Sequence, residues 1–205
     1  TQLKSSSRTG NQWFRNGTLI TGATDSTYTA NTAGTYTVVV TNSQGCSATS
    51  LGTTVSFNSL PATPTISGGN GSFCPGTVIL TSSAATAYQW YKNGNLLAGE
   101  TNRTINVSTA GSYTVIVSNA SGCLSAASSA NVISFYQVPS SPTISGGEAS
   151  PYCASQTVIL TSSGSNNQWY KDGVAIAGAN TANYSVIQTG TYTVVVSNAF
   201  GCSSN

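Results

Sequence analysis

Charge is what this sequence has least of. Of 205 residues, six are Lys or Arg and four are Asp or Glu, 5% in all, against roughly a quarter in an ordinary soluble protein. The net charge of +2 provides no basic field to hold nucleic acid or an anionic membrane surface. Histidine is absent, so a Ser or Cys nucleophile lacks its usual base. The four carboxylates, Asp25, Glu100, Glu148 and Asp172, form no spaced pair that repeats along the chain. General acid–base catalysis needs positioned titratable groups, and calcium needs clustered oxygen ligands. No catalytic residue, cofactor site or metal site is therefore expected. No apolar run approaches the roughly 20 residues of a membrane helix, and the opening Thr1-Gln2-Leu3-Lys4 has no signal-peptide apolar segment.

What is present repeats. Gln12-Trp13-Phe14-Arg15-Asn16-Gly17 recurs as Gln89-Trp90-Tyr91-Lys92-Asn93-Gly94 and Gln168-Trp169-Tyr170-Lys171-Asp172-Gly173. Downstream, Gly34 to Val40 recurs at Gly111 to Val117 and Gly190 to Val196. Each copy then runs through Asn, two residues, Gly and Cys, ending at Cys46, Cys123 and Cys202. Both the tryptophans and these cysteines lie 77 and 79 residues apart. A period near 78 residues is the signature of a tandem array. The copies are read as repeat 1 (residues 1–60), repeat 2 (61–138) and repeat 3 (139–205). Thr1 aligns with Val78, so repeat 1 is expected to lack its opening strand and repeat 3 its last. On that reading the sequence is a piece of a longer array.

Within repeat 2, Thr77 to Thr81 is β-branched and apolar, as a buried strand is. Gln89 to Lys92 is a second strand, and Asn93-Gly94 is the strongest two-residue hairpin signal. Leu96-Leu97, Thr104 to Val107, Tyr113 to Val117 and Asn131 to Phe135 follow with alternating patterns. No stretch has the apolar period of a helix. About seven short strands in one period predict an all-β chain of small sandwiches. Pro61–Pro64 and Pro139–Pro142 are the linkers, stiffened by proline.

The residues support a resemblance. Trp90 on the third strand, with Tyr113 beyond Ala110-Gly111, resembles the core tryptophan and tyrosine corner of immunoglobulin-like domains; Trp13, Trp169, Tyr36 and Tyr192 stand in the same places. Antibody domains have a cysteine two residues after that tyrosine. Val38, Val115 and Val194 stand there instead, with Leu80 and Leu160 on the opposing strand. The whole unit resembles the immunoglobulin-like repeats of very large surface proteins of Bacteroidota-type bacteria. The pattern runs Cys, Val-x-Leu-Thr, Gln-Trp-Tyr-x-Asn-Gly, Gly-x-Tyr-Thr-Val-x-Val and Asn-x-x-Gly-Cys. Repeat 2 carries it from Cys74 to Cys123 and repeat 3 from Cys153 to Cys202, with Ala154-Ser155-Gln156 replacing Pro75-Gly76. The resemblance implies an exported array at the cell surface, in gliding adhesins or beside enzyme domains.

The five cysteines leave two pairings open. One disulfide within each unit would join Cys74 to Cys123 and Cys153 to Cys202. The alternative is a clip between neighbours, Cys74 with Cys202, since a strand of seven residues spans about 23 Å and a disulfide needs Cα atoms within about 7 Å. In the clip, Cys46 and Cys153 have partners outside this sequence. Either way, recurring cysteines without histidine point to an oxidising compartment over a metal site.

The tryptophans read as a sugar-stacking platform or, more simply, as core. By strand alternation Phe14, Tyr91 and Tyr170 face the other way and are the candidates for an exposed aromatic stripe. Lys92 and Lys171 read as solvated. Six Asn-x-Ser/Thr sequons, at Asn16, Asn70, Asn102, Asn106, Asn119 and Asn183, make surface glycosylation an open modification. The expected partners are neighbouring repeats of the same chain, with lateral self-association or surface glycans as further candidates. The expected role is an extracellular stalk; the alternatives are an enzyme spacer and a carbohydrate-binding module.

Overall fold

A computed structural model describes residues 1–147, 151–153 and 156–204. All its regular elements are strands. Repeat 1 holds β1 (Gln2–Lys4), β2 (Asn11–Arg15), β3 (Thr18–Leu19), β4 (Thr27–Thr29), β5 (Gly34–Thr41), β6 (Ser47–Thr49) and β7 (Thr53–Val55). Repeat 2 holds β8 (Ile66–Ser67), β9 (Gly71–Phe73), β10 (Val78–Ser82), β11 (Ala87–Lys92), β12 (Asn95–Leu96), β13 (Thr104–Val107), β14 (Gly111–Ser118) and β15 (Asn131–Phe135). Repeat 3 holds β16 (Ile144–Ser145), β17 (Val158–Ser162), β18 (Asn167–Lys171), β19 (Val174–Ala175), β20 (Asn183–Val186), β21 (Tyr192–Ser197) and β22 (Ser203–Ser204). By contacts the chain divides into two units, Thr1–Leu60 and Pro61–Asn205.

Repeat 2 shows the architecture most fully. One sheet has the order β13-β10-β8 and the other β12-β11-β14-β15-β9. β9 runs parallel to β15 while the remaining pairs are antiparallel. Two sheets with this order make repeat 2 an immunoglobulin-like β-sandwich; repeats 1 and 3 keep the same pairing of tryptophan and tyrosine strands, β2 with β5 and β18 with β21, and the chain is a tandem array. Alternation sorts the side chains. On β10, Val78 and Leu80 face inward while Ile79 faces out; on β14, Tyr113, Val115 and Val117 face inward. With Trp90, Ile105, Val107 and Ile133 they form one buried cluster. Leu80 and Val115 are both fully buried in it, so branched apolar side chains occupy the place where antibody domains carry their disulfide.

The hairpin after the tryptophan strand follows from its residues. Asn16, Asn93 and Asp172 have φ of 48°, 51° and 51°, and the glycines after them 77°, 79° and 81°. Two successive left-handed residues make the tight turn that suits strand twist, and Asn-Gly or Asp-Gly adopts it at least cost. The same Asn or Asp side chain also fastens the turn to the neighbouring strand. Its Oδ1 accepts the backbone N–H of Thr35, Ser112 or Thr191, at 2.8 Å in each case.

Aspartate makes this contact titratable in repeat 3, whereas asparagine fills it in repeats 1 and 2. The Thr191 N–H holds the Asp172 carboxyl below the usual carboxylate range, with Lys171 assisting. A lowered folded pKa contributes stability above the unfolded value of about 3.9, lost as pH falls through the folded one. Asp172→Asn is expected to match the parent at neutral pH and to flatten the acid limb below about pH 4. Urea midpoints measured from neutral to acid pH check this; an unchanged acid limb would count against it.

Candidate functional site

The recurring side chains build the same frame three times. Trp13, Trp90 and Trp169 are buried, at 4%, 0% and 0% exposure. They lie opposite Val38, Val115 and Val194 in register. Each indole N–H donates to a backbone carbonyl twelve residues on: Asp25 at 2.9 Å, Asn102 at 2.8 Å and Thr181 at 2.9 Å. The tyrosine hydroxyls donate four residues back, Tyr36 to Thr32 O at 2.7 Å, Tyr113 to Thr109 O at 2.8 Å and Tyr192 to Gln188 O at 2.9 Å. This is the tyrosine corner.

Two further recurrences carried no weight in the sequence reading. Gln12, Gln89 and Gln168 each donate through Nε2 to the tryptophan's own carbonyl and to that of Ile20, Leu97 or Ile176, at 2.8–3.1 Å. Each pins the hairpin against its strand, and the signal was the glutamine standing before every tryptophan. Tyr28 and Tyr184 bridge Trp and corner Tyr in repeats 1 and 3, at 5.6–6.0 Å between ring centroids; Ile105 fills that space in repeat 2.

Two expectations need correction. Phe14, Tyr91 and Tyr170 are half-buried, not an exposed stripe. The tryptophan strand is interior to its sheet, so its outer face lies between Thr37, Thr114 or Thr193 on one side and Leu19, Leu96 or Ala175 on the other. Tyr192 is half-buried, whereas Tyr36 and Tyr113 are 1% and 2% exposed. In repeats 1 and 2 a closing strand lies against the start of the tyrosine strand, β7 on Gly34 to Tyr36 and β15 on Gly111 to Tyr113. Among the described residues of repeat 3, β21 pairs only with β18 and β22.

The cysteines give the site. Cys74 is bonded to Cys202, with Cα atoms 5.2 Å apart and a sequence separation of 128. The pairing within units, Cys74 to Cys123 and Cys153 to Cys202, is not formed. Cys74 precedes β10 at one end of the sandwich and Cys123 follows β14 at the other, too far apart for a bond. Cys46 and Cys153 are exposed free thiols, and Cys123 is a partly exposed one.

The disulfide sits in a built junction. Cys202 is 1% exposed. Asn198 Oδ1 accepts the N–H groups of Phe200 and Cys202, at 2.9 and 3.0 Å, which closes the loop that carries the thiol. Asn198 Nδ2 donates to Gln137 O of repeat 2 at 2.7 Å. The Phe200 ring stacks on Tyr136 with centroids 4.0 Å apart and planes 6° from parallel. Tyr136 in turn donates its N–H to Phe73 O, next to Cys74. Three segments thus converge: 73–74, 135–137 and 198–202. The arrangement holds two domains together, and among the described residues no group of three His, Cys, Asp or Glu side chains gathers to hold a metal. Glu148 lies outside the described residues, as do Ala154 and Ser155. Among the described residues no helix is long and apolar enough to cross a membrane.

No protein-family model and no curated protein sequence matches the chain. Solved structures show a distant likeness to the chain. Fibronectin(III)-like modules of Clostridium thermocellum CbhA share 13% identity at a TM-score of 0.40, covering 69% of this chain and 89% of theirs. Immunoglobulin domains 1–4 of Sidekick-1 share 18% at 0.30, covering 100% of this chain and 69% of that one. An Antarctic bacterium's Ca2+-stabilized adhesin, described as helping it reach out and bind ice, shares 14% at 0.40, covering 98% of this chain and 63% of that one.

Proposed function

We propose that this chain is a structural segment of a large secreted surface protein: a stalk of clipped immunoglobulin-like repeats that presents a binding region located elsewhere. Surface attachment or gliding, in a Bacteroidota-type cell, is the role that fits. The observation that carries the reading is the disulfide from Cys74 to Cys202 between two successive repeats. A ligand-binding module gains little from a covalent bond to its neighbour, whereas a member under load gains resistance to separation. The bond also supports an extracellular location, because disulfides persist in oxidising compartments.

The alternative of a carbohydrate-binding module makes a different prediction. Glycan arrays and titration calorimetry with the oxidised chain are expected to give no saturable binding, and Tyr91→Ala to change nothing. Saturable binding that disappears in Tyr91→Ala would overturn the stalk. An enzyme spacer asks only for length and stability, as a stalk does. The reduced mass of the parent polypeptide separates the two, a chain of several hundred kilodaltons favouring the stalk.

A further inference from the structure

Among the described residues, the smaller sheet of every repeat ends in an open strand edge. In repeat 2 its order is β13-β10-β8, so β8 covers one side of β10 and β13 is outermost on the other. β4 and β20 take the same place beside β1 and β17. Hydrogen bonding fixes which way the outermost strand points. The Ser82 N–H donates to the carbonyl of its opposite residue, Arg103, at 2.9 Å, so Arg103, Ile105 and Val107 turn their backbone groups toward β10. Thr104 and Asn106, which alternate with them, turn theirs outward. The bonds from Ser5 N–H to Ser26 O and from Ser162 N–H to Ala182 O, at 2.7 and 2.8 Å, set the same phase. They turn Thr27 and Thr29 outward in repeat 1, and Asn183 and Ser185 in repeat 3. The Thr181 hydroxyl donates to Asn183 O at 2.6 Å, so repeat 3 offers this edge in part.

The opening is built into the repeat. A constant-type immunoglobulin sheet carries one more strand outside this one. Here the segment that could supply it, residues 97–103, is held by the tryptophan strand instead. Glu100 O accepts the Trp90 N–H at 3.2 Å, and Asn102 O the indole N–H at 2.8 Å. Ala23 and Asp25, and Ala179 and Thr181, are held in the same way in repeats 1 and 3. The closing strands β7 and β15 pair with tyrosine strands in the opposite sheet, which leaves this edge untouched. Natural sheets guard such edges with lysine, proline or brevity. The outer strands β3, β12 and β19 are brief, two residues each. β13 has four, Thr104-Ile105-Asn106-Val107, with no charge and no proline among them, and Thr104 and Asn106 are exposed.

The geometry points to the β13 edge, with its counterparts β4 and β20, as the surface on which a second copy of this chain pairs strand to strand. Outward N–H and C=O groups are complemented by those of another strand, and this edge complements itself. Set antiparallel about Ile105, Thr104 of one copy lies opposite Asn106 of the other, and the two pairs exchange four N–H to O bonds. The facing side chains are neutral, so no like charges meet. Arg103, the nearest charge in sequence, donates Nε to Ser82 O at 3.0 Å and lies opposite Val107 in this register. One such contact is much smaller than the roughly 800 Å² per partner of a standard interface. Pairing is therefore weak edge by edge and gains from the several edges that each chain carries. The stalk reading stands with or without it; the pairing adds lateral bundling of chains.

The test uses the full oxidised chain with its free thiols alkylated, so that no disulfide can join two copies. Sedimentation velocity from dilute to concentrated solution is expected to show a sedimentation coefficient that rises with concentration. Over the same range, hydrogen exchange at the Thr104 and Asn106 amides is expected to slow. The triple variant T29K/N106K/S185K puts a lysine on the exposed face of each edge strand and is expected to lose both effects. L19K/L96K/V174K adds the same charge at exposed positions on the outer strands of the other sheet and is expected to associate as the parent does. Circular dichroism matching the parent establishes that both variants fold. A parent chain that stays monomeric throughout would overturn the inference, as would association that leaves the two amides exchanging freely. Loss of association in both variants would also overturn it, since added charge and not the β13 edge would then be the cause.

Discussion

Cys202→Ser is expected to lower the stability of the unit Pro61–Asn205 by about 4–5 kcal/mol and to split its unfolding into two transitions. The figure follows from the chain-entropy model, in which a cross-link across a loop longer than 100 residues contributes about 4.7 kcal/mol. The loop here spans 128 residues. The splitting has a separate cause. Each repeat buries its own core, and the contacts described between them are the bond, one aromatic stack and one Asn198–Gln137 hydrogen bond. With the bond gone, the stack and the hydrogen bond contribute only about 1 kcal/mol each. Urea melts of the oxidised chain check the prediction, with non-reducing peptide mapping to locate the link. Cys74→Ser should behave like Cys202→Ser, and Cys123→Ser like the parent. A Cys123→Ser chain destabilised as much as Cys202→Ser would show that the pairing differs from the structure.

Trp90→Ala is expected to cost repeat 2 about 3–5 kcal/mol, close to the whole stability of a sandwich this small. Trp90 is fully buried among Leu80, Ile105, Val115 and Ile133, so truncation leaves a large cavity. It also removes the hydrogen bond from the indole N–H to the Asn102 carbonyl, 2.8 Å long. Tyr91→Ala, one residue on and half-buried against Leu96 and Thr114, should cost about 1 kcal/mol. Far-UV circular dichroism during urea denaturation reads both. Equal losses from the two substitutions would contradict the assignment of Trp90 to the core.

These two substitutions also mark what the sequence alone could reveal. The core tryptophan, the tyrosine corner and the Asn-Gly hairpin follow from local chemistry that repeats three times, and local chemistry is what a single sequence displays. The cysteine partner was a different kind of question. Both candidate pairings join residues of the same two types, and the choice depends on which ends of two sandwiches meet. Strand length argued against the bond within a unit, but it took the packed junction to decide between them. The junction aromatics were hidden for the opposite reason, because they break the repeat: Phe200 stands where the other copies have Gln44 and Ser121. A search for similarity passes over such departures. The half-burial of Tyr192 was illegible as well, since it depends on a covering strand and not on the tyrosine's own neighbours.

The disulfide also redirects tension. A pull applied at Pro61 and at Ser204 passes through β8 and β9 to Cys74, crosses the sulfur bridge and leaves from Cys202. Of the two sandwiches, only the short strands β8, β9 and β22 lie on that route. Residues 75–201 are spared the load, and about 430 Å of extended chain, at roughly 3.4 Å per residue, stays out of reach of the force. Stretched as an oxidised molecule, the unit would lengthen only by its short ends; reduced, it would pay out both repeats. In this chain the redox state of one bond sets how far two domains can be drawn out.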